Sequence, residues 1–134
     1  VEVNSNFKMS KKDMTSRIIR AMENHHLDIL FHPTGRLIQK REAYELDMDE
    51  VIGAAKKTGT ILEINALPER LDLKDSDIKK AVEANCKMSI DSDAHAAEHI
   101  GYLKYGIAQA RRGWAETKDV INTQPIEKML SLLK

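Results

Sequence analysis

The sequence predicts an α/β fold in which parallel strands are joined by helices packed on the outside. Three observations carry this expectation. Short apolar runs of strand type alternate with amphipathic runs of helical period along nearly the whole chain. No hairpin signal separates successive strands, so the crossovers are helical and the strands parallel. The strand-like runs also end in side chains able to ligate, as they do where strand ends of one sheet share an edge.

The elements follow in order. A strand is expected over 1–3, ahead of Asn4. A helix over 11–23 carries Met14, Ile18, Ile19 and Met22 on one face, with Ser10 and Asp13 forming a start of the capping-box kind. The strand 28–31 comes next. Asp47 caps a helix bearing Met48, Val51, Ile52 and Ala55, which Gly59 closes before the strand 60–64. A helix over about 76–85 buries Ile78, Ala81 and Val82 and leads to the strand 87–90. Ile100, Leu103, Ile107 and Ala110 recur at helical spacing up to Gly113, where Trp114 is expected to anchor in the core. Pro125 suits the first turn of a last helix with Ile126, Met129, Leu130 and Leu133. The expected sheet has about four strands.

The chain has 134 residues, 42% of them hydrophobic, enough for one domain with a real core. Lys and Arg together number 21, as do Asp and Glu, so no overall field marks a nucleic-acid binder, although a local basic patch is compatible with this balance. Cys86 is alone and cannot form an internal disulfide, and neither a nucleophile's partner nor a zinc set accompanies it. No apolar run approaches the ~20 residues of a membrane span, and no secretory signal precedes the fold, so a soluble, cytoplasmic protein is expected. The opening on Val1-Glu2-Val3, without a Met, is read as the inside of a longer chain.

The most informative stretch is Met88-Ser89-Ile90-Asp91-Ser92-Asp93-Ala94-His95. Asp93 and His95 stand two apart where a strand runs out, so they face one place and offer a hard oxygen and an imidazole to one cation. A second strand end stops at His32, in Phe31-His32-Pro33-Thr34-Gly35-Arg36. Glu63 and Asn65 end a third run, and Asn4 follows the first. A shared sheet edge brings these groups together.

These stretches, with Asn4-Ser5-Asn6-Phe7-Lys8-Met9-Ser10, Leu62-Glu63-Ile64-Asn65-Ala66 and Tyr105-Gly106-Ile107-Ala108-Gln109-Ala110-Arg111-Arg112-Gly113-Trp114, resemble the polymerase-and-histidinol-phosphatase (PHP) domain. More narrowly they are similar to the C-terminal part of that domain in bacterial and archaeal family X DNA polymerases. The resemblance covers nearly all of residues 1–134 and implies the C-terminal part of a distorted seven-stranded β/α barrel. It implies a metal-dependent phosphoesterase acting as a 3′–5′ exonuclease at DNA ends in repair, with manganese as the expected ion of the intact domain and zinc as the alternative. His32, Asp93 and His95 match the family's metal-ligand positions. Asn4 stands where the family has a His, and the family's first-half ligands are absent, so the 134 residues alone are expected to be inactive. The implied partners are DNA through the full-length protein, an upstream polymerase and the first half of the domain. Cover of an open sheet edge, by self-association or by a displaced segment of the chain, is also expected, and no membrane.

Blander readings stand beside these. Asn65 and Glu63 can line the site or satisfy backbone groups at a strand end. Arg36 can meet phosphate in bidentate fashion or serve a surface ion pair. Arg111, Arg112, Lys104 and Lys118 can form a DNA-facing patch, but cations at a helix end also favour the helix dipole. His25 and His26 lie on the side away from the expected site, and His99 is expected as an exposed helical residue. No catalytic acid or base is assigned. The competing function is a non-catalytic PHP module, a scaffold with a degraded metal site, which Asn4 favours and Asp93 with His95 opposes.

Overall fold

The computed structural model describes Val1 and residues 5–134 of the chain. Asn4 and the remainder of the strand expected over 1–3 lie outside the described residues. The elements are α1 (Lys11–Met22), β1 (Ile29–Leu30), α2 (Met48–Thr58), β2 (Ile61–Asn65), α3 (Asp75–Glu83), β3 (Met88–Asp91), α4 (Leu103–Arg112) and α5 (Ile126–Leu130). A 3-10 segment, Ala97–Tyr102, leads into α4, and two short 3-10 turns, Thr117–Asp119 and Ile121–Thr123, precede α5.

The helices begin and end where local chemistry says they should. The Ser10 hydroxyl accepts from the Asp13 N–H, and Asp47 accepts from the Glu50 N–H, so each satisfies a donor that the first helical turn leaves open. α2 stops because Gly59 turns left-handed, at φ 73°, a conformation that a Cβ disfavours.

Among the described residues the sheet has three strands in the order β1-β2-β3, all parallel. Val1 lies along the outer side of β1: its N donates to the Ile29 carbonyl at 2.9 Å, and its carbonyl accepts from the Phe31 N–H at 2.8 Å. At the other margin Val120 bridges Met88 in parallel, and the Asn122 side chain exchanges hydrogen bonds with both the N–H and the carbonyl of Ile90. That edge of β3 is therefore covered by the chain itself.

Strand alternation divides the sheet into two unlike faces. Leu30, Leu62, Ile64, Met88 and Ile90 join Met14, Ile18, Met22, Val51, Ile52, Ala55, Ile78, Ala81 and Ala110 of the helices in one core. Burying each large apolar side chain there contributes about 1.5–3 kcal/mol. Glu63, Asn65, Ser89 and Asp91 occupy the alternate positions, with Glu63 in register with Ser89 and Asn65 with Asp91. The period-2 switch from apolar to polar in Leu62–Asn65 and Met88–Asp91 is what makes the second face polar.

The region after β3 departs from expectation. Leu103 and Ala110 of α4 meet the core as expected, but Gly106 and Gln109 are the other residues turned inward, so Ile100 and Ile107 stay exposed. Trp114 is not a core anchor: it is 68% exposed, with φ 64° turning it away just beyond α4 and Lys79 Nζ lying 4.2 Å over its ring. Its neighbour Gly113 packs on Ile78 instead. In α5, Ile126 and Leu130 are also exposed.

Candidate functional site

The carboxyl ends of the strands gather the polar side chains. β1 passes into His32, which is buried and takes a left-handed backbone, φ 52°. Its N–H donates to Glu63 Oε2 at 2.6 Å, and its ring Nδ1 lies 3.3 Å from the same oxygen. Asn65 Nδ2 donates to Glu63 Oε1 at 3.1 Å and stands 3.2 Å from His32 Nδ1. Glu63 and Asn65 both point this way because they are two apart in β2. A carboxylate on Nδ1 sets the tautomer and orientation of an imidazole. Burial disfavours the charged ring, but the Glu63 hydrogen bond and charge outweigh it, and the pKa of His32 is raised.

Beyond β3, Asp93 also has a left-handed backbone, φ 53°. Such conformations in residues other than Gly are uncommon and collect at functional sites. Arg70 Nε donates to Asp93 Oδ2 at 3.1 Å within a mostly buried pair. His32 and Asp93 both follow the carboxyl ends of strands in one parallel sheet, which puts them on the same edge. His95 sits outside this cluster: its ring Nδ1 donates to the Asp93 carbonyl at 2.8 Å, and its side chain is 77% exposed.

The structure thus brings together His32, Glu63 and Asn65, with the Arg70–Asp93 pair beside them, and leaves His95 at the rim. Among the described residues no three His, Cys, Asp or Glu side chains converge closely enough to hold a metal ion. The donors expected to serve as ligands are engaged within the protein, Asp93 by a guanidinium and His32 by Glu63 and Asn65. Asn4 lies outside the described residues. Arg36 faces neighbouring backbone: Nε donates to the Arg70 carbonyl at 2.7 Å and a terminal nitrogen donates to the Leu71 carbonyl.

Residues that sequence reasoning passed over build the support. Asp72 is fully buried and accepts from the N–H groups of Thr34 and Gly35, each at 3.0 Å, and from the Thr34 hydroxyl at 2.9 Å. The Tyr44 hydroxyl lies 3.0 Å from the His32 carbonyl and 2.8 Å from that of Pro33, as their donor. Its ring lies against Gly35, where a Cβ would come within 2.5 Å of Cε1. The loop carrying His32 is therefore tied to the loop carrying Arg70. Asp91 receives the Ser89 hydroxyl at 2.5 Å, and its pKa is raised by burial, against the pull of that bond. The alternation in Met88–Asp91 was a usable signal for Ser89 and Asp91. Nothing in the sequence around Asp72 or Arg70 announces their partners.

Chemically, the edge presents an oriented imidazole, a carboxylate held by a guanidinium and an exposed imidazole at the rim. This set can exchange protons and meet an anionic oxygen. The chain resembles the C-terminal part of a PHP domain, as in family X DNA polymerases. In particular, it is 42% identical over 132 residues to the DNA polymerase/3′-5′ exonuclease PolX of Bacillus subtilis (strain 168), covering 98% of this chain and 23% of that relative. It is 29% identical over 126 residues to a probable phosphatase of Thermoanaerobacter sp. (strain X514), covering 90% of this chain and 49% of the relative. It is likewise 29% identical over 129 residues to a probable phosphatase of Shewanella sediminis (strain HAW-EB3), covering 92% and 50%. The chain thus spans 23% of the polymerase and about half of the phosphatases. No family model matches it.

Proposed function

We propose that this chain is the C-terminal part of a PHP-type phosphoesterase barrel carried by a longer family X DNA polymerase, whose barrel removes nucleotides from DNA 3′ ends during repair. The observation that carries this reading is the gathering of His32, Glu63, Asn65, Arg70 and Asp93 on one strand-end edge, in a chain similar to an exonuclease and to probable phosphatases. In this proposal Glu63 and Asn65 hold the His32 imidazole in place at the strand-end edge. Arg70, held by the Arg36 contact to its carbonyl, offers its charge to phosphate oxygens. His32, Asp93 and His95 are the chain's candidate ligands for the manganese or zinc expected of the intact domain. Since the described residues do not make a metal centre, no step is assigned to such an ion.

The test uses the full-length protein that contains this chain. Nucleotide release from a recessed DNA 3′ end in the presence of manganese is measured for wild type, Asp93→Ala and Asn4→His. Loss in Asp93→Ala and gain in Asn4→His are expected, because a neutral imidazole is a far better transition-metal ligand than a carboxamide. The second reading is a PHP scaffold without catalysis. The Arg70–Asp93 pair favours it, since it neutralises a candidate ligand from inside the protein. A full-length protein that is inert with either residue at position 4 would sink the enzyme reading and leave the scaffold.

A further inference from the structure

Beyond Asp93 and His95 the chain builds a row of aromatic rings with no part in the site described above. His99 and Tyr102 lie three apart in the 3-10 segment Ala97–Tyr102. Side chains at that spacing eclipse one another in a 3-10 helix, and the two rings stack, with centroids 4.9 Å apart and planes at 25°. The chain then winds into α4, and Tyr105 continues the row, its centroid 6.1 Å from Tyr102. Tyr105 is 40% exposed, and Lys104 Nζ stands 5.0 Å from its ring centroid.

Two further observations fix where the row faces and what it adjoins. Gly106 presses α4 onto the sheet so closely that a Cβ there would come 2.6 Å from Ile90 Cγ2, so its neighbours Tyr105 and Ile107 remain outside. At the other end His99 Nδ1 accepts the His95 N–H at 3.2 Å, which joins the row to the rim of the strand-end site. The charges along 97–112 are Glu98 against Lys104, Arg111 and Arg112, with Arg112 bound to Asp75.

We propose that His99, Tyr102 and Tyr105 form a stacking platform for the bases of single-stranded DNA, which leads a strand end to the Asp93–His95 rim. Every base has a π-face, so ring stacking accepts any sequence, and a cation beside the rings meets the backbone. The direction of the track rests on the phosphoesterase reading; the stacking does not.

The experiment irradiates the full-length protein with a short oligo(dT) bearing one 5-iodouracil near its 3′ end and maps the adducts by peptide mass spectrometry. Adducts on His99, Tyr102 or Tyr105 are expected. Tyr105→Ala should lower their yield on the order of ten-fold, as expected for losing one stacked base, while Tyr105→Phe keeps it. Adducts confined to other regions overturn the proposal. So does a Tyr105→Ala protein that melts earlier with adducts unchanged, which means the row packs against protein. Hydrolysis of bis-p-nitrophenyl phosphate is followed in parallel. Ring adducts without ester hydrolysis refute the phosphoesterase reading and keep the platform, whereas hydrolysis without ring adducts does the reverse.

Discussion

Asp72 shows how one buried carboxylate shapes the site without belonging to it. Its oxygens hold two backbone N–H groups and one hydroxyl of the loop that carries His32. Burial pushes its pKa above the ordinary 3.8, while the Thr34 N–H and hydroxyl pull the other way. Replacing Asp72 by Ala leaves those donors buried and unpaired, and is expected to cost about 2–4 kcal/mol in urea denaturation. Asp72→Asn can still accept both N–H groups through its oxygen and donate to the Thr34 hydroxyl, so a loss below about 1 kcal/mol is expected. The pH dependence separates the two. A raised folded pKa means that the folded state prefers the neutral acid. The contribution of Asp72 is therefore most favourable below 3.8 and is lost as pH rises through the folded value. Asp72→Asn should lack that part of the slope in a pH series of melts, and an unchanged slope would show that other groups produce it.

At the scale of elements, the helices tolerate added volume on one side only. Gly106 faces Ile90 and Ala66, and Gly113 faces Ile78 and the Asp75 carbonyl, with no room for a methyl group. Gly106→Ala and Gly113→Ala should each cost about 1–3 kcal/mol, because the packed neighbours must move. Gly53, in the middle of α2, has nothing near its would-be Cβ. Gly53→Ala should therefore stabilise by about 0.5–1 kcal/mol through helix propensity and a less flexible unfolded chain. Thermal melts of the three variants check the signs together. A stabilising Gly106→Ala would mean that α4 does not sit against β3 as described.

For the whole molecule, the polar face of the sheet is satisfied from within: among the described residues no buried side-chain nitrogen or oxygen lacks a hydrogen-bond partner. Glu63, Asn65 and Ser89 are almost fully buried, yet no metal-holding group forms beside them. The 134 residues alone are accordingly expected to release no nucleotide from a DNA 3′ end under conditions where the full-length protein is active. Equal specific activity of the two would place the whole machinery within this chain. Val1 pairs along β1, and a sedimentation series on the isolated chain tests the expected self-association at that margin. A clean monomer at high concentration would argue against it.

Much of this was legible residue by residue. The Ser10 and Asp47 caps, the Gly59 stop and the apolar stripes of α1, α2 and α3 are local patterns, and each appears where its pattern stands. Parallel pairing followed from alternation without hairpins, and the strand-end placement of His32, Glu63, Asn65 and Asp93 followed from parallel pairing. The same local reasoning misplaced Trp114, since hydrophobicity does not reveal that its backbone turns away from the core. It also could not see that Asp93 is answered by Arg70, 23 residues earlier, or that Asp72 reaches Thr34 across 38. Periodicity and capping act within a few residues, so composition along the chain reports them directly. Ion pairs and loop clamps depend on where loops of distant sequence arrive once the sheet has formed, and burial then decides which charges must be paired.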